Sequence, residues 1–262
     1  SRKARYSIPM NEAVQWPERN LPVDPYALGV IVAEGCLTKT VPMLTISSDD
    51  EWIVAKVAGR IGATGYDGKQ MHKDRNDGAG NYNWVFSSGA KARRGIARIQ
   101  KKDVVGQFPE LMDRYSKERS IPEMYMTASV AQRWELVRGL FDSDGHIGQA
   151  DDGRFNVSYS TSSPVLAEQV RMLLLSLGVG AKVRWHDRDN GTGSVSREFT
   201  VRVRSSNQAK TRFFSLPRKL EIAERARKVV RKHHWDYDYV DIVKVEKLGR
   251  QGEGGIDVAA RL

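Results

Sequence analysis

The chain has 262 residues, of which 40% are hydrophobic, and it carries a formal net charge of +10. This length and hydrophobic content exclude a disordered chain and suit one large domain or two small ones. The positive charge favours an anionic partner, nucleic acid before an acidic membrane surface. The single cysteine, Cys36, excludes an internal disulfide and a cysteine-based zinc site. It fits a reducing setting, and no hydrophobic run approaches the ~20 residues of a membrane span. We therefore expect a cytoplasmic protein that is not secreted and has no membrane partner.

The first predicted element is a helix that ends in an acidic residue and a glycine. Asp24 can cap its free N–H groups, and Pro25 suits its first position. The segment ALGVIVAEG then runs to Glu34 and stops at Gly35. The elements expected next are a β-hairpin (Cys36–Ser48), an amphipathic helix (Asp49–Ile61) and a hairpin with a Gly-rich turn (Asp77–Gly80).

The same order of elements recurs in the second half of the chain. Ser129 and Gln132 form a capping-box pattern before VRGLFDSDG, which ends at Asp144 and Gly145. The matching elements are a hairpin (His146–Ser162), a helix (Ser163–Leu177) and a Gly-rich turn (Asp189–Gly193). In addition, the sequence of Ser87–Ile96 aligns with that of Ser205–Phe214. Continuing that alignment sets Lys101 against Lys219. Each half reads α-β-β-α-β-β-α, which predicts an α+β fold of two pseudo-symmetric repeats with antiparallel sheets that form a DNA-binding saddle.

This duplication predicts four segments. They are an N-terminal arm (1–19), a first repeat (20–122), a second repeat (123–234) and a C-terminal tail (235–262).

Small residues predict that the two acid-ending helices pack against each other. They lie four positions apart in both helices, at Gly29 and Ala33 and at Gly139 and Ser143. Such packing would bring Glu34 and Asp144 together across a pseudo-twofold axis.

Two adjacent carboxylates repel each other unless they share a proton or a cation. Oxygen ligands near helix C-termini suit Mg²⁺, for which Mn²⁺ can substitute. Bound there, the ion could activate water against a phosphate. Lys101 and Lys219 could supply positive charge to the transition state or help to position the attacking water.

Basic side chains alternate along the predicted strands of the second half and so share one sheet face. Two-stranded β-ribbons fit the major groove of DNA. For any single residue, an ordinary solvated sheet face explains the charge equally well, whereas the recurrence in both halves favours binding. The candidate DNA-binding residues are Lys39, Lys69, His72, Lys73, Arg75, Arg154, Lys182, Arg184, His186, Arg188, Arg202 and Arg204.

The two motifs and their surroundings resemble the monomeric, two-motif LAGLIDADG homing endonucleases. The matching residues are Gly29, Val30, Ile31, Ala33, Glu34 and Gly35 in the first motif, and 139–145 in the second. The resemblance implies that Glu34 and Asp144 bind the catalytic metal, with help from the backbone carbonyls of Ala33 and Ser143. It also implies helper lysines at Lys219 and Lys101. Family members cut both strands of a long, specific site across a minor groove and leave short 3′ overhangs.

The chain departs from the family motif at two positions. Val32 replaces the first Asp, a position that is more structural than catalytic, and Glu34 replaces the second Asp with a side chain one methylene longer. The flanks at 21–26 and 117–122 and the tail at 239–258 are similar to inteins. The chain ends in Arg261-Leu262 rather than His-Asn, however, and should not splice.

The main expectation is therefore a monomeric, Mg²⁺-dependent endonuclease that acts on double-stranded DNA and has no small-molecule substrate. Two alternatives keep the same scaffold. One is a maturase-like RNA-binding protein, and the other is a non-catalytic DNA-binding regulator.

Overall fold

The computed structural model describes residues 7–9, 11–71, 80–92, 95–151, 153–189, 195–229, 237–239, 242–245 and 258–260. The α-helices of these residues are α1 (Pro25–Glu34), α2 (Glu51–Arg60), α3 (Lys101–Val105), α4 (Glu123–Met126), α5 (Val130–Asp144), α6 (Pro164–Ser176) and α7 (Pro217–Arg227). The first strands are β1 (Ser7–Pro9), β2 (Gly35–Cys36), β3 (Met43–Ser47), β4 (Gly65–Gln70), β5 (Asn81–Lys91) and β6 (Ile96–Arg98). The later strands are β7 (Gly145–Gln149), β8 (Phe155–Thr161), β9 (Gly180–Asp189), β10 (Val195–Arg204), β11 (Tyr237–Tyr239), β12 (Ile242–Val245) and β13 (Val258–Ala260).

The strands form two main antiparallel sheets. The first has the order β2-β3-β5-β4 with β6 paired to β5, and the second has the order β7-β8-β10-β9. Helix α2 packs on the first sheet and α6 on the second. Two further antiparallel pairs, β1 with β11 and β12 with β13, involve the ends of the chain. The predicted α+β class with antiparallel sheets is confirmed. None of the described helices combines the length and hydrophobicity that crossing a membrane would require.

The starts of α1 and α5 follow from local sequence. The Asp24 carboxylate accepts a hydrogen bond from the Ala27 N–H at 3.1 Å, and Pro25 occupies the first turn. At α5, the Ser129 hydroxyl accepts from the Gln132 N–H while the Gln132 side chain accepts from the Ser129 N–H. Both predicted caps are confirmed.

The glycines that end these two helices are not required for a left-handed backbone conformation. Gly35 and Gly145 are both extended, with φ of −70° and −81°, and each begins a strand directly. A Cβ atom at Gly35 would collide with the carbonyl of Ile31, and one at Gly145 with the carbonyl of Phe141. The glycine therefore permits a sharp helix-to-strand transition immediately after each acid.

Helices α1 and α5 pack backbone to backbone at the centre of the molecule. A Cβ atom at Gly29 would lie 2.5 Å from the Leu136 carbonyl oxygen and 3.0 Å from the Cα of Gly139. A Cβ atom at Gly139 would in turn collide with the carbonyl of Tyr26. This close approach makes the ends of the two helices neighbours.

The two halves differ after their second hairpins. In the first half, β5 runs on to Lys91 and pairs with β6, whereas in the second half a 3₁₀ helix (Asn207–Phe213) leads into α7. The alignment of Ser87–Ile96 with Ser205–Phe214 is therefore wrong, because Ser87–Lys91 is part of a strand whereas most of the second segment is a 3₁₀ helix. An ion pair between Arg218 and Asp50, 2.5 Å long, joins α7 to the first half.

Candidate metal and nucleic-acid site

The packing of α1 against α5 brings Glu34 and Asp144, their last residues, into direct contact. A hydrogen bond joins the Glu34 and Asp144 side chains, and both residues are partly buried. Burial, and then the charge of Asp144, raises the pKa of Glu34 well above its ordinary value. Burial also raises the pKa of Asp144, although the hydrogen bond from Glu34 and the charges of Lys219 and Arg119 oppose this. Without a cation, burial and mutual repulsion therefore favour one proton shared by the pair.

Lys219 caps the end of the second motif helix. Its buried ammonium donates to the carbonyl oxygens of Phe141 (2.9 Å), Asp142 (2.7 Å), Ser143 (3.1 Å) and Gly145 (2.6 Å). Burial lowers the pKa of Lys219 to about 8. The cation offsets the negative end of the α5 dipole immediately beside Asp144.

Arg119 caps the end of the first motif helix in the same way. Its guanidinium donates to the carbonyl oxygens of Val32 (3.0 Å), Ala33 (2.6 Å) and Gly35. These acceptors correspond to three of the four that Lys219 contacts at α5. Arg119 is thus the structural counterpart of Lys219.

The expected pairing of Lys101 with Lys219 is therefore wrong. Lys101 begins α3, and its ammonium forms a 2.5 Å ion pair with Asp113 instead of contacting the end of α1. Sequence alignment missed Arg119 because the two capping cations come from unlike segments. Lys219 lies within helix α7, whereas Arg119 follows a short 3₁₀ helix in an extended conformation.

The donor set at the helix ends fits a hydrated hard cation. In the described part of the chain, no group of three or more His, Cys, Asp or Glu side chains could hold a metal, so Glu34 and Asp144 act only as a pair. Mg²⁺ is commonly held by one or two carboxylates together with water and phosphate oxygens. The carbonyls of Ala33 and Ser143 lie at the same helix ends, where they accept from Arg119 and Lys219.

Two buried donors without hydrogen-bond partners adjoin the acids, and this supports a polar occupant. They are the Tyr159 hydroxyl and Nε of Arg119. Both carboxyls also raise the pKa of Tyr159 electrostatically, in addition to the larger effect of burial. Because unpaired buried donors are costly, the site suits a bound polar group beside the carboxylates.

Asp142, the first acid of the second motif, has a structural role. Its buried carboxylate accepts from the Tyr26 hydroxyl at 2.9 Å and from the N–H groups of Ser215 and Leu216. It thereby ties α5 to α1 and to the start of α7. The corresponding Val32 is simply buried in the core.

An open cavity of about 300 Å³ adjoins Glu34 on the side of the first half. Its lining includes Thr38, Thr45, Arg114 and Tyr115. Glu34 is therefore accessible from this cavity.

The second sheet has a basic face and an apolar face. Cross-strand pairing places Lys182 beside Arg202, and Arg184 two residues further along β9 on the same face. The opposite face, which includes Val183 and Val201, is covered by helix α6. Of the predicted DNA-binding residues, those placed on the basic face are Lys182, Arg184, His186, Arg188, Arg202 and Arg204. Part of this charge is compensated, because Glu198 contacts Arg188 at 3.1 Å and His186 at 3.8 Å.

The remaining predicted DNA-binding residues are dispersed. Arg154 is exposed between β7 and β8, and Lys39 is exposed in the loop before β3. Lys69 is exposed on β4, directly opposite Asn83 of β5. His72, Lys73 and Arg75 lie outside the described residues.

Comparisons with known proteins agree with parts of this picture. Residues 131–216 match the family model described as a LAGLIDADG-like domain. A 98-residue stretch is 39% identical to Protein RecA of Mycobacterium tuberculosis and covers 36% of this chain and 12% of that protein. A 173-residue stretch is 27% identical to ATP-dependent DNA helicase Hel308 of Thermococcus kodakarensis and covers 65% of this chain and 14% of that protein. The chain thus spans only about an eighth of the length of these relatives.

Solved structures similar to this chain include two of the homing endonuclease I-DmoI. A structure of its mesophilic variants and a crystal structure with DNA and Mn each give a TM-score of 0.38 at 12% identity. Each alignment covers 80% of this chain, with 97% and 98% of the other chain. The match to the LAGLIDADG-like domain spans nearly all of α5, with Asp144 at its end, and the whole of the second sheet.

Proposed function

We propose that this chain is a LAGLIDADG-type homing endonuclease that makes a divalent-metal-dependent double-strand break in a long DNA target. One observation carries the proposal. Two carboxyl groups, Glu34 and Asp144, share a hydrogen bond at the ends of two helices whose backbones touch, and each helix end is capped by a buried cation. A helix pair needed only for folding would gain nothing from two repelling acids in a partly buried position.

Each residue of the site has a distinct task in this proposal. Glu34 and Asp144 would hold Mg²⁺, for which Mn²⁺ can substitute, and the ion would supply charge neutralisation and activated water at the scissile phosphates. Lys219 and Arg119 fix the helix ends and offset their negative dipoles, so that the carboxylates keep their positions when both are charged.

The basic face of the second sheet would bind the target duplex. Its Arg and Lys side chains can contact phosphates and guanine edges in the major groove. The first sheet would form the other side of the saddle. It would contribute Lys69, and the loop before β3 would contribute Lys39. Because Lys101 forms an ion pair with Asp113, it has no assigned part in the chemistry.

Several finer features belong to the same proposal. A monomeric enzyme and short 3′ overhangs follow from the family resemblance. Intracellular action follows from the single cysteine, and the four segments 1–19, 20–122, 123–234 and 235–262 follow from the duplication. An intein origin is supported by two relatives with different names, each of which matches over a small fraction of its own length. An element inserted into different host proteins would produce that pattern.

The test is to cleave a randomised duplex library in the presence of Mg²⁺ and to sequence the ends. The variant is Glu34→Gln with Asp144→Asn, and the matched control is Glu168→Gln with Glu224→Gln, two exposed helix acids that form local ion pairs. We expect one long motif with uniform 3′ overhangs from the wild type and the control, and none from the variant.

Two other outcomes would contradict the nuclease. Duplex enrichment by binding without metal-dependent ends would identify a DNA-binding regulator. No enrichment of duplexes at all would point to an RNA-binding, maturase-like protein.

A further inference from the structure

Tyr159 has a feature that its packing does not explain. The side chain is fully buried on β8, and its ring packs against Phe141 of α5 with centroids 5.6 Å apart. Its hydroxyl has no hydrogen-bond partner among the described residues. Phenylalanine would fill the same space without leaving a buried donor unpaired, so the ring alone gives no reason for the hydroxyl.

The location of Tyr159 relates this hydroxyl to the acids. In the antiparallel pairing of β7 with β8, Tyr159 lies directly opposite Gly145, the residue that follows Asp144. The charges of Asp144, Glu34 and Arg119 all act on the phenol. Nε of Arg119, a second unpaired buried donor near the acids, belongs to the side chain that caps the first motif helix.

The two sheets differ at this position. In the first sheet, the residue opposite Gly35 is Leu44, which is buried and has no polar group. The phenol is therefore present only on the Asp144 side of the pseudo-twofold axis. A residue required merely to fill this layer of the core could be leucine in both halves.

We propose that Tyr159 is a positioning residue for the carboxylate pair, whose hydroxyl donates a hydrogen bond at the site when a divalent cation occupies it. The inference rests on the proposed function. The Tyr159 hydroxyl and Nε of Arg119 are buried donors beside the acids without partners among the described residues, so both can donate to oxygen atoms at an occupied site. Donors of this kind commonly set the orientation and affinity of metal-binding carboxylates.

The test compares two buried tyrosines, each changed to phenylalanine. Tyr159→Phe removes the unpaired hydroxyl, and Tyr125→Phe is the matched control because its hydroxyl bonds both to the Val23 carbonyl (2.7 Å) and to the Val23 N–H (3.0 Å). The measurements are the melting temperature of the metal-free protein and the affinity for Mn²⁺ by calorimetric titration.

We expect opposite patterns from the two variants. Tyr159→Phe should leave the metal-free melting temperature unchanged or raised and should weaken Mn²⁺ binding by about tenfold or more, as the loss of an outer-shell partner typically does. Tyr125→Phe should lower the melting temperature and leave Mn²⁺ binding unchanged.

Equal Mn²⁺ affinity of wild type and Tyr159→Phe would overturn this inference and leave the proposed function standing. So would a loss of metal-free stability in Tyr159→Phe as large as that in Tyr125→Phe, with no change in affinity. A wild-type protein that binds no Mn²⁺, or binds it as well after Glu34→Gln with Asp144→Asn, would overturn the proposed metal site and this inference with it.

Discussion

At the scale of single residues, the site is defined by how buried charges are balanced. Two acids share one proton, and two cations, Arg119 and Lys219, satisfy the carbonyl groups that helices leave without partners at their C-termini. The cations do not neutralise the acids by direct ion pairing. They fix the backbone from which the acids project, and the acids remain available to an external cation.

The shared proton makes stability depend on pH. A carboxyl whose pKa is raised by folding binds its proton more tightly in the folded chain, so the free energy of unfolding falls as pH rises from near 4.5 through the raised pKa of Glu34. We expect Glu34→Gln to flatten this decline and to raise the melting temperature of the metal-free protein at neutral pH. Thermal unfolding from pH 4 to 8 would check this, and a wild-type stability that does not fall over that range would contradict the shared proton.

Arg119 offers a second prediction at this scale. Arg119→Met leaves the carbonyls of Val32, Ala33 and Gly35 without their donor, and should lower the free energy of unfolding by about 1–3 kcal/mol. Arg119→Lys keeps a cation, as Lys219 does at α5, and should recover most of that loss. Urea unfolding would measure both variants. Equal destabilisation in Arg119→Met and Arg119→Lys would mean that the charge of the side chain does not stabilise the helix end.

At the scale of elements, the α1–α5 contact determines where the acids lie. Gly29→Ala would place a methyl group 2.5 Å from the Leu136 carbonyl oxygen, which the helices can accommodate only by separating. We expect a loss of about 1–3 kcal/mol and weaker metal binding. The control is Gly59→Ala in α2, where an added Cβ meets nothing within 4 Å and should stabilise the helix by about 0.5–1 kcal/mol. Changes of opposite sign in the free energy of unfolding, measured in urea, would support the contact. A Gly29→Ala variant with unchanged stability would contradict it.

The elements also show what the sequence can and cannot predict. The caps at Asp24 and Ser129 and the order of helices and hairpins rest on short-range patterns, and they were predicted correctly. The equivalence of Arg119 and Lys219 was missed, because each reaches its helix end through a long-range contact. The two residues come from segments with unrelated conformations. The unpaired hydroxyl of Tyr159 was missed for a similar reason, since its surroundings come from three separate segments.

At the scale of the whole molecule, positive charge is distributed unevenly over the described surface. The basic face of the second sheet holds most of the described candidate DNA-binding residues, whereas β4 of the first sheet contributes Lys69. If this face binds DNA, Arg184→Gln and Lys182→Gln should each weaken duplex binding and each reduce the slope of log affinity against log salt by about one. Arg171→Gln, which removes an arginine paired with Glu168 on α6, is the control and should leave the slope unchanged. Binding titrations over a range of salt concentrations would decide.

The glycine-to-glycine contact of α1 and α5 makes the spacing of the two acids independent of the side chains on the sheet faces. The distance between Glu34 and Asp144 is fixed by the helix pair, whereas the side chains of the sheets project from a different layer. If the sheets bind DNA, substitutions on their faces can therefore change which target is recognised while the spacing between the two acids stays constant. In the proposed endonuclease, target specificity can thus change independently of the geometry of the cleavage site.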